Sequence, residues 1–247
     1  MMIIELLIFG VFTGLVSGFF GVGGGMVLIP LLLYSGFDMK EAVSISIVQM
    51  VFSSIFGSFL NYKENKKILK IGLLLGLGGF LGGLNNGLIM NFVSSSSLTY
   101  IFLFIVCFAI YRVSRQESII DEHIVLYNPW LLISVGFVVG IIAMSIGVGG
   151  SVMLTPILAT YFHYNLKIAS SMGLFFVVFS SLAGFISLSS HGHMLFSEGF
   201  TVGFASLIGV YFGIKLKNIV HIKSFKIYIL ILYIIILLSM VFKIFVV

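Results

Sequence analysis

Apolar runs follow one another from residue 3 to residue 245 with few interruptions, and their lengths fall into two kinds. Crossing the hydrocarbon core of a bilayer takes about 20 helical residues at about 1.5 Å of rise each. Runs at 3–20, 41–60, 69–90 and 98–111, and again at 130–146, 167–188, 195–216 and 225–245, predict membrane helices. Two further runs, 24–35 and 150–162, are too short to cross unaided, and each carries a proline, Pro30 and Pro156. Each reads as a half-helix paired with its predecessor, the chain breaking at 21–25 and 147–151. Proline removes one ladder hydrogen bond and frees a carbonyl a turn earlier, so both prolines are candidate hinges or kinks.

The two breaks are copies of one pattern. GFFGVGGGMVLIP at 18–30 returns as MSIGVGGSVMLTP at 144–156, 126 residues later. With one extra residue allowed after the proline, Ala42, Ser44, Phe52, Ser53, Ser54 and Gly57 meet Ala169, Ser171, Phe179, Ser180, Ser181 and Gly184. Further on, Gly72, Gly76 and Gly82 meet Gly199, Gly203 and Gly209. Such self-similarity predicts one membrane domain over 1–247, built as repeat one (1–115), a connector (116–128) and repeat two (129–247).

Charge distribution orients the repeats. If each broken pair returns to the side it entered from, Lys63, Lys66, Lys67, Lys70, Arg112, Arg115, Lys167, Lys215, Lys217, Lys223 and Lys226 share one face. Only Lys40 and Lys243 lie opposite. If each pair crosses once, the bases divide almost evenly. Basic residues collect on the cytoplasmic side. The returning arrangement follows, with both termini outside and the halves inverted about an axis in the membrane plane. Re-entrant hairpins and two slanted crossings both satisfy it.

Composition removes several function classes. The chain is 60% hydrophobic and 9% charged, against about 25% charged for an ordinary soluble domain. The formal charge of +5 comes from bases in short connectors, where anionic headgroups attract them, and does not point to nucleic acid. Glu5 and the lack of a basic residue before the first apolar run argue against a cleaved signal peptide. Cys107 is the single cysteine, so no intrachain disulfide forms. GVGGGM lacks the Gly-Lys-Ser/Thr of a phosphate-binding loop, and no nucleophile–base or paired-carboxylate arrangement is visible. His191 and His193 with Glu198 are too few for a zinc site, and His123 beside Asp121 and Glu122 reads as loop. No enzyme, cofactor or metal centre is expected. Glu5 and Glu198 are the carboxylates that could enter a span and serve as a proton-coupling group, but both sit near predicted ends, where headgroup-level placement is expected.

The remaining chemistry lies in the breaks. Glycines turn the chain sharply at positive φ, and successive bare N–H groups form an anion-binding nest. The half-helix that follows adds the positive end of its dipole. Two such termini meeting at mid-membrane would hold a small anion without a buried lysine or arginine. Gly21, Gly23, Gly24 and Gly25, with Gly147, Gly149, Gly150 and Ser151, are therefore the candidate binding residues. Ser17, Ser145, Ser151 and Thr155 lie close by and could donate from their hydroxyls. Gln49 is the one large amide of its span, and it either lines the pathway or ties helices together; its repeat counterpart is Phe176. Asn85 and Asn86 read as interhelical bonds. The scattered glycines Gly72, Gly76, Gly79, Gly82 and Gly83 read as packing positions.

GFFGVGGGMVLIPLL and SIGVGGSVMLTPIL, opening the halves of a chain of this length, resemble the sulfite exporter TauE/SafE-type permeases, also called the toluene-sulfonate uptake family. The resemblance covers nearly the whole chain. It implies a multi-pass permease of a prokaryotic plasma membrane that moves small sulfur-containing or organic anions such as sulfite, sulfoacetate or thiosulfate. Ser151 departs from the pattern by replacing the third glycine of the first copy.

The expectation is thus an all-α integral membrane protein of two inverted-topology repeats, each a glycine-broken hairpin followed by three transmembrane helices. It would carry a small anion by alternating access. A passive anion channel and a non-transporting scaffold are the alternatives. Substrate identity, direction, a coupling proton or cation, and a homo-oligomeric state stay open.

Overall fold

The computed structural model describes residues 2–64, 68–115 and 128–246, and these are helical with no strand among them. The first half of the chain comprises α1 (Met2–Phe20), α2 (Gly25–Tyr34), α3 (Met39–Glu64), α4 (Ile68–Gly83), α5 (Asn86–Phe92) and α6 (Ser95–Arg115). The second half comprises α7 (Pro129–Ser145), α8 (Ser151–Tyr161), α9 (Leu166–Ser190), α10 (Phe196–Ile219) and α11 (Ile222–Val246). Seven spans among the described residues are long and apolar enough to cross a bilayer. Lys66, Lys67, Asp121, Glu122 and His123 lie outside the described residues.

Local chemistry starts these helices. Asp38 accepts from the Glu41 N–H at 2.8 Å while Glu41 accepts from the Asp38 N–H at 2.9 Å, a reciprocal cap on α3. Asn128 and Asn165 accept from the N–H groups of Trp130 and Lys167 and cap α7 and α9, with Pro129 in the first turn of α7.

One expected helix is two. The run at 69–90 divides at Leu84 and Asn85. Ser187 of α9 bridges the gap, donating to the Leu84 carbonyl at 2.7 Å and accepting from the Gly87 N–H at 2.8 Å. Neither Asn85 nor Asn86 bonds across helices as expected: the Asn85 amide donates to Leu81 and Gly82 of α4, and both side-chain amide atoms of Asn86 are buried without a partner. Replacing Ser187 by alanine strands the buried Gly87 N–H, a loss of about 1–3 kcal/mol, and frees the part-buried Leu84 carbonyl. S187A should therefore lower the melting temperature and speed amide exchange at Gly87.

Each half packs mainly on the other. Gly10, Gly14 and Gly18 of α1 climb past the backbone of Val202, Ser206 and Val210 in α10, so the two helices run parallel and nearly touch. Gly136 and Gly140 of α7 meet Leu75 and Gly79 of α4 in the same register. Gly199 and Gly203 receive Val48 and Phe52, while Gly72 and Gly76 receive Phe175 and Phe179. Small residues permit this approach, which is how membrane helices gain packing energy without a hydrophobic drive. Each pairing recurs with the partners exchanged, the reciprocity of an isologous interface. Even the outer contacts follow it. Lys243 lies over the Tyr34 ring that ends α2, and Arg112 lies over the Tyr161 ring that ends α8.

At the centre α3 and α9 run antiparallel. Ile47 lies against Gly184, Leu174 against Gly57, and Ser171 bonds Asn61. These two helices form the wall on which both glycine breaks rest.

Candidate functional site: two facing helix breaks

Three glycines in each break take a conformation that other residues avoid. Gly21, Gly23 and Gly24 have φ of 69°, 80° and 87°, and Gly147, Gly149 and Gly150 have 66°, 85° and 71°. A side chain in this left-handed region costs about 1–2 kcal/mol, which accounts for the repeated spacing. Position 25 and its copy at 151 are first residues of helices and are not among the positive-φ residues. A side chain is therefore allowed at Ser151, and the departure from the glycine pattern leaves the turn intact.

The breaks meet. A Cβ built on Gly25 would be driven into the carbonyl oxygen of Gly147, and one on Gly149 would lie 3.3 Å from the Val22 carbonyl oxygen. Met50 of α3 and Val177 of α9 pack against both Gly23 and Gly149 from either side. Every residue of both breaks is buried.

Hydrogen bonding separates donors from acceptors here. Ser53 donates to the Gly23 carbonyl at 3.1 Å, Ser46 to the Gly147 carbonyl at 3.0 Å, and Ser170 to the Phe20 carbonyl at 2.6 Å. The helix-start residues Gly24 and Gly150 have no side chain to accept from the first turns, the task serine or aspartate performs at ordinary starts. Ser151 spends its N–H on Gly149, at 2.9 Å. Among the described residues, the N–H groups of Gly23, Gly24, Gly25 and Met26, and of Gly149, Gly150 and Val152, have no acceptor. The breaks thus offer amide donors while several of their carbonyls are already occupied. Two helix N-termini add positive potential to the same spot.

Side chains add to this set. The hydroxyls of Ser17, Ser151 and Thr155 and both amide atoms of Gln49 are buried and unpartnered. Gln49 lies against Gly24, where a Cβ would be 2.6 Å from its Nε2. In the other break Phe176 takes that place beside Gly150, which is the repeat correspondence. Ser151 and Thr155 sit one turn apart against Gly173 of α9. Ser145 is placed differently: it donates to the Ile141 carbonyl of its own helix at 2.8 Å. Pro30 and Pro156 are buried inside α2 and α8, and both helices continue through them.

The sequence reading missed Lys217. It was expected in a connector, but α10 runs on to Ile219 and buries it at 3% exposure. Its ammonium donates to Ser171 at 2.7 Å and to Ser170 at 3.3 Å. Ser170 in turn holds Phe20, and a Cβ on Gly21 would overlap the Ser170 hydroxyl. A buried cation therefore stands one side chain from the first break. The signal available in the sequence was LKN between α10 and a short connector, too close to a helix end to predict burial.

His191 and His193 bond Ser187 and Asn91 respectively. No group of three potential metal ligands occurs among the described residues.

Residues 6–240 match the family model described as Sulfite exporter TauE/SafE. Similar proteins include the "Probable membrane transporter protein YunE" of Bacillus subtilis (strain 168), 22% identical over 90% of each chain. Another is the "Probable membrane transporter protein MJ0441" of Methanocaldococcus jannaschii, 28% identical over 74% of this chain and 70% of the relative. A third, YdhB of Bacillus subtilis (strain 168), again named a probable membrane transporter protein, is 25% identical over 83% and 86%. The helices, the two duplicated breaks and a match over nearly the whole length agree: this chain is a multi-pass membrane transporter protein, not an enzyme, and belongs to the sulfite exporter TauE/SafE family.

Proposed function

We propose that the facing breaks bind a small oxyanion, sulfite or a related sulfur oxyanion or sulfonate, and expose it alternately to the two sides of the membrane. The observation that carries this reading is the surplus of buried, unpartnered N–H and hydroxyl donors where the two breaks touch. Leaving such groups unpaired costs about 1–3 kcal/mol each, and an oxyanion accepts from several at once. The relatives' names and the family description give membrane transport and, for the family, sulfite export.

The halves are taken as inverted repeats with both termini outside. The antiparallel crossing of α3 and α9, which correspond to each other in sequence, supports inversion. In such transporters the substrate lies at the repeat interface, and rocking of one repeat against the other gives alternating access.

Purified protein in proteoliposomes tests the proposal. Saturable sulfite uptake, driven or biased by an imposed ion gradient, is the expected result. Flux that is linear in concentration and only follows the membrane potential would favour a channel. Absence of flux for sulfite, thiosulfate, sulfate and sulfonates would remove the reading.

A further inference from the structure

We propose that the trench between α6, α7 and α8 binds an anionic phospholipid, with the lipid phosphate on Arg112 and one acyl chain laid along the trench. This site faces the bilayer and not the buried breaks, and it does not depend on the transport reading above.

α6 touches α8 but scarcely touches α7, and the gap left open holds a groove of about 590 Å³. Phe108 of α6, Val135 and Val138 of α7, and Met153, Ile157 and Tyr161 of α8 line it. A second groove of about 370 Å³ shares Met153 and continues between Ile105 of α6 and Ile141 of α7 as far as Leu98. From Arg112 back to Leu98, α6 rises about 21 Å at about 1.5 Å per residue, more than the depth of one leaflet, about 15 Å. A whole acyl chain fits that length. The trench is open to the bilayer, because Phe104, Leu131 and Val138 on its walls are exposed.

One end of the trench is charged. Arg112 lies one turn beyond Phe108 on α6, and its guanidinium stands over the Tyr161 ring, 4.7 Å from the centroid. Stacking engages the face of the guanidinium but none of its N–H groups. Nε and Nη2 are buried and have no hydrogen-bond partner. A guanidinium keeps its charge, so those groups need an acceptor, and a phosphodiester takes two of them side by side. Arg115 is exposed on the same last turn, and Lys226 donates to the Ser114 carbonyl at 3.2 Å. These bases favour one occupant over another. A second copy seated here about a twofold axis would bring its own bases to the same membrane level, whereas an anionic headgroup neutralises them.

Native mass spectrometry of delipidated full-length protein, titrated with phosphatidylglycerol or phosphatidylcholine of identical chains, tests this. Wild type should bind the first phosphatidylglycerol at least tenfold tighter than the first phosphatidylcholine. R112Q should bring that preference to threefold or less, and R112K, which keeps the charge but not the paired N–H groups, should fall between the two. V138W places a ring in the trench from its exposed wall and should weaken both lipids at least threefold; it remains informative if R112Q is not monodisperse. Glycerol 1-phosphate, a headgroup without chains, should not compete at a hundredfold excess. A wild-type preference under tenfold, one above threefold in R112Q, or V138W binding within threefold of wild type overturns the site. Competition by glycerol 1-phosphate overturns the trench as the seat of an acyl chain, and a lipid-free dimer that V138W dissolves gives the trench to a second copy instead.

Discussion

Alanine at Gly24 and Gly150 together should reduce anion flux at least a hundredfold in protein that still inserts. Each position has positive φ, 87° and 71°, so each substitution costs about 1–2 kcal/mol in backbone strain alone. Steric effects separate the two. At Gly24 the new methyl meets the Gln49 amide, with Nε2 at 2.6 Å and Oε1 at 2.7 Å, the far end of a flexible side chain. At Gly150 it meets the ring of Phe176, which is held in the core and cannot turn aside. G24A should therefore fold, at the cost of that strain, and transport poorly, whereas G150A should melt lower still. Gly36 supplies the control. Its φ is 94° and a Cβ there meets nothing within 4 Å, so G36A shares the strain without touching the breaks and should keep more than half of the flux. Initial uptake rates normalised to monodisperse protein measure all four variants.

Leucine at Gly14 or at Gly209 should prevent recovery of folded protein altogether. A Cβ on Gly14 would be driven into the Ser206 carbonyl, and one on Gly209 into the Val11 carbonyl, with Leu15 N at 2.5 Å. Backbone atoms of a packed helix cannot move aside as a side-chain tip can, so α1 and α10 must part. That seam holds the end of α1 from which the first break departs. Overpacking in a core ordinarily costs about 1–3 kcal/mol, and a side chain forced against main chain along a whole seam exceeds that range. By contrast G72A meets only the Phe175 ring, at 2.7 Å from Cδ1, and should lose about 1–3 kcal/mol. Fluorescence-detected size exclusion and thermal melts separate the two outcomes.

Much of the arrangement was legible in the residues, for identifiable reasons. The broken pairs showed because glycine at positive φ and proline in a short apolar run are local demands that leave local marks. The contacts of Gly72 with Phe175 and of Gly199 with Val48 fall at positions that the self-similarity of the chain aligns. Three features were not legible. The division at Leu84 depends on Ser187, a hundred residues away, to satisfy the freed backbone groups. Ser145 looked like a break residue by spacing, but its hydroxyl bonds one turn back, a choice that sequence distance does not reveal. Lys217 looked like a connector base because its burial comes from helices packed around it and not from its neighbours in the chain.

On the proposed function, bare glycine amides, and not close helix packing alone, are what these breaks provide to the anion. Glycine-selective ¹⁵N labelling followed through a sulfite titration reads it directly, because the packing glycines act as internal controls. Saturable shifts at Gly23, Gly24, Gly25, Gly149 and Gly150, with Gly10, Gly14 and Gly209 unmoved, are predicted. Saturable sulfite binding that leaves the five break amides unshifted would contradict the account.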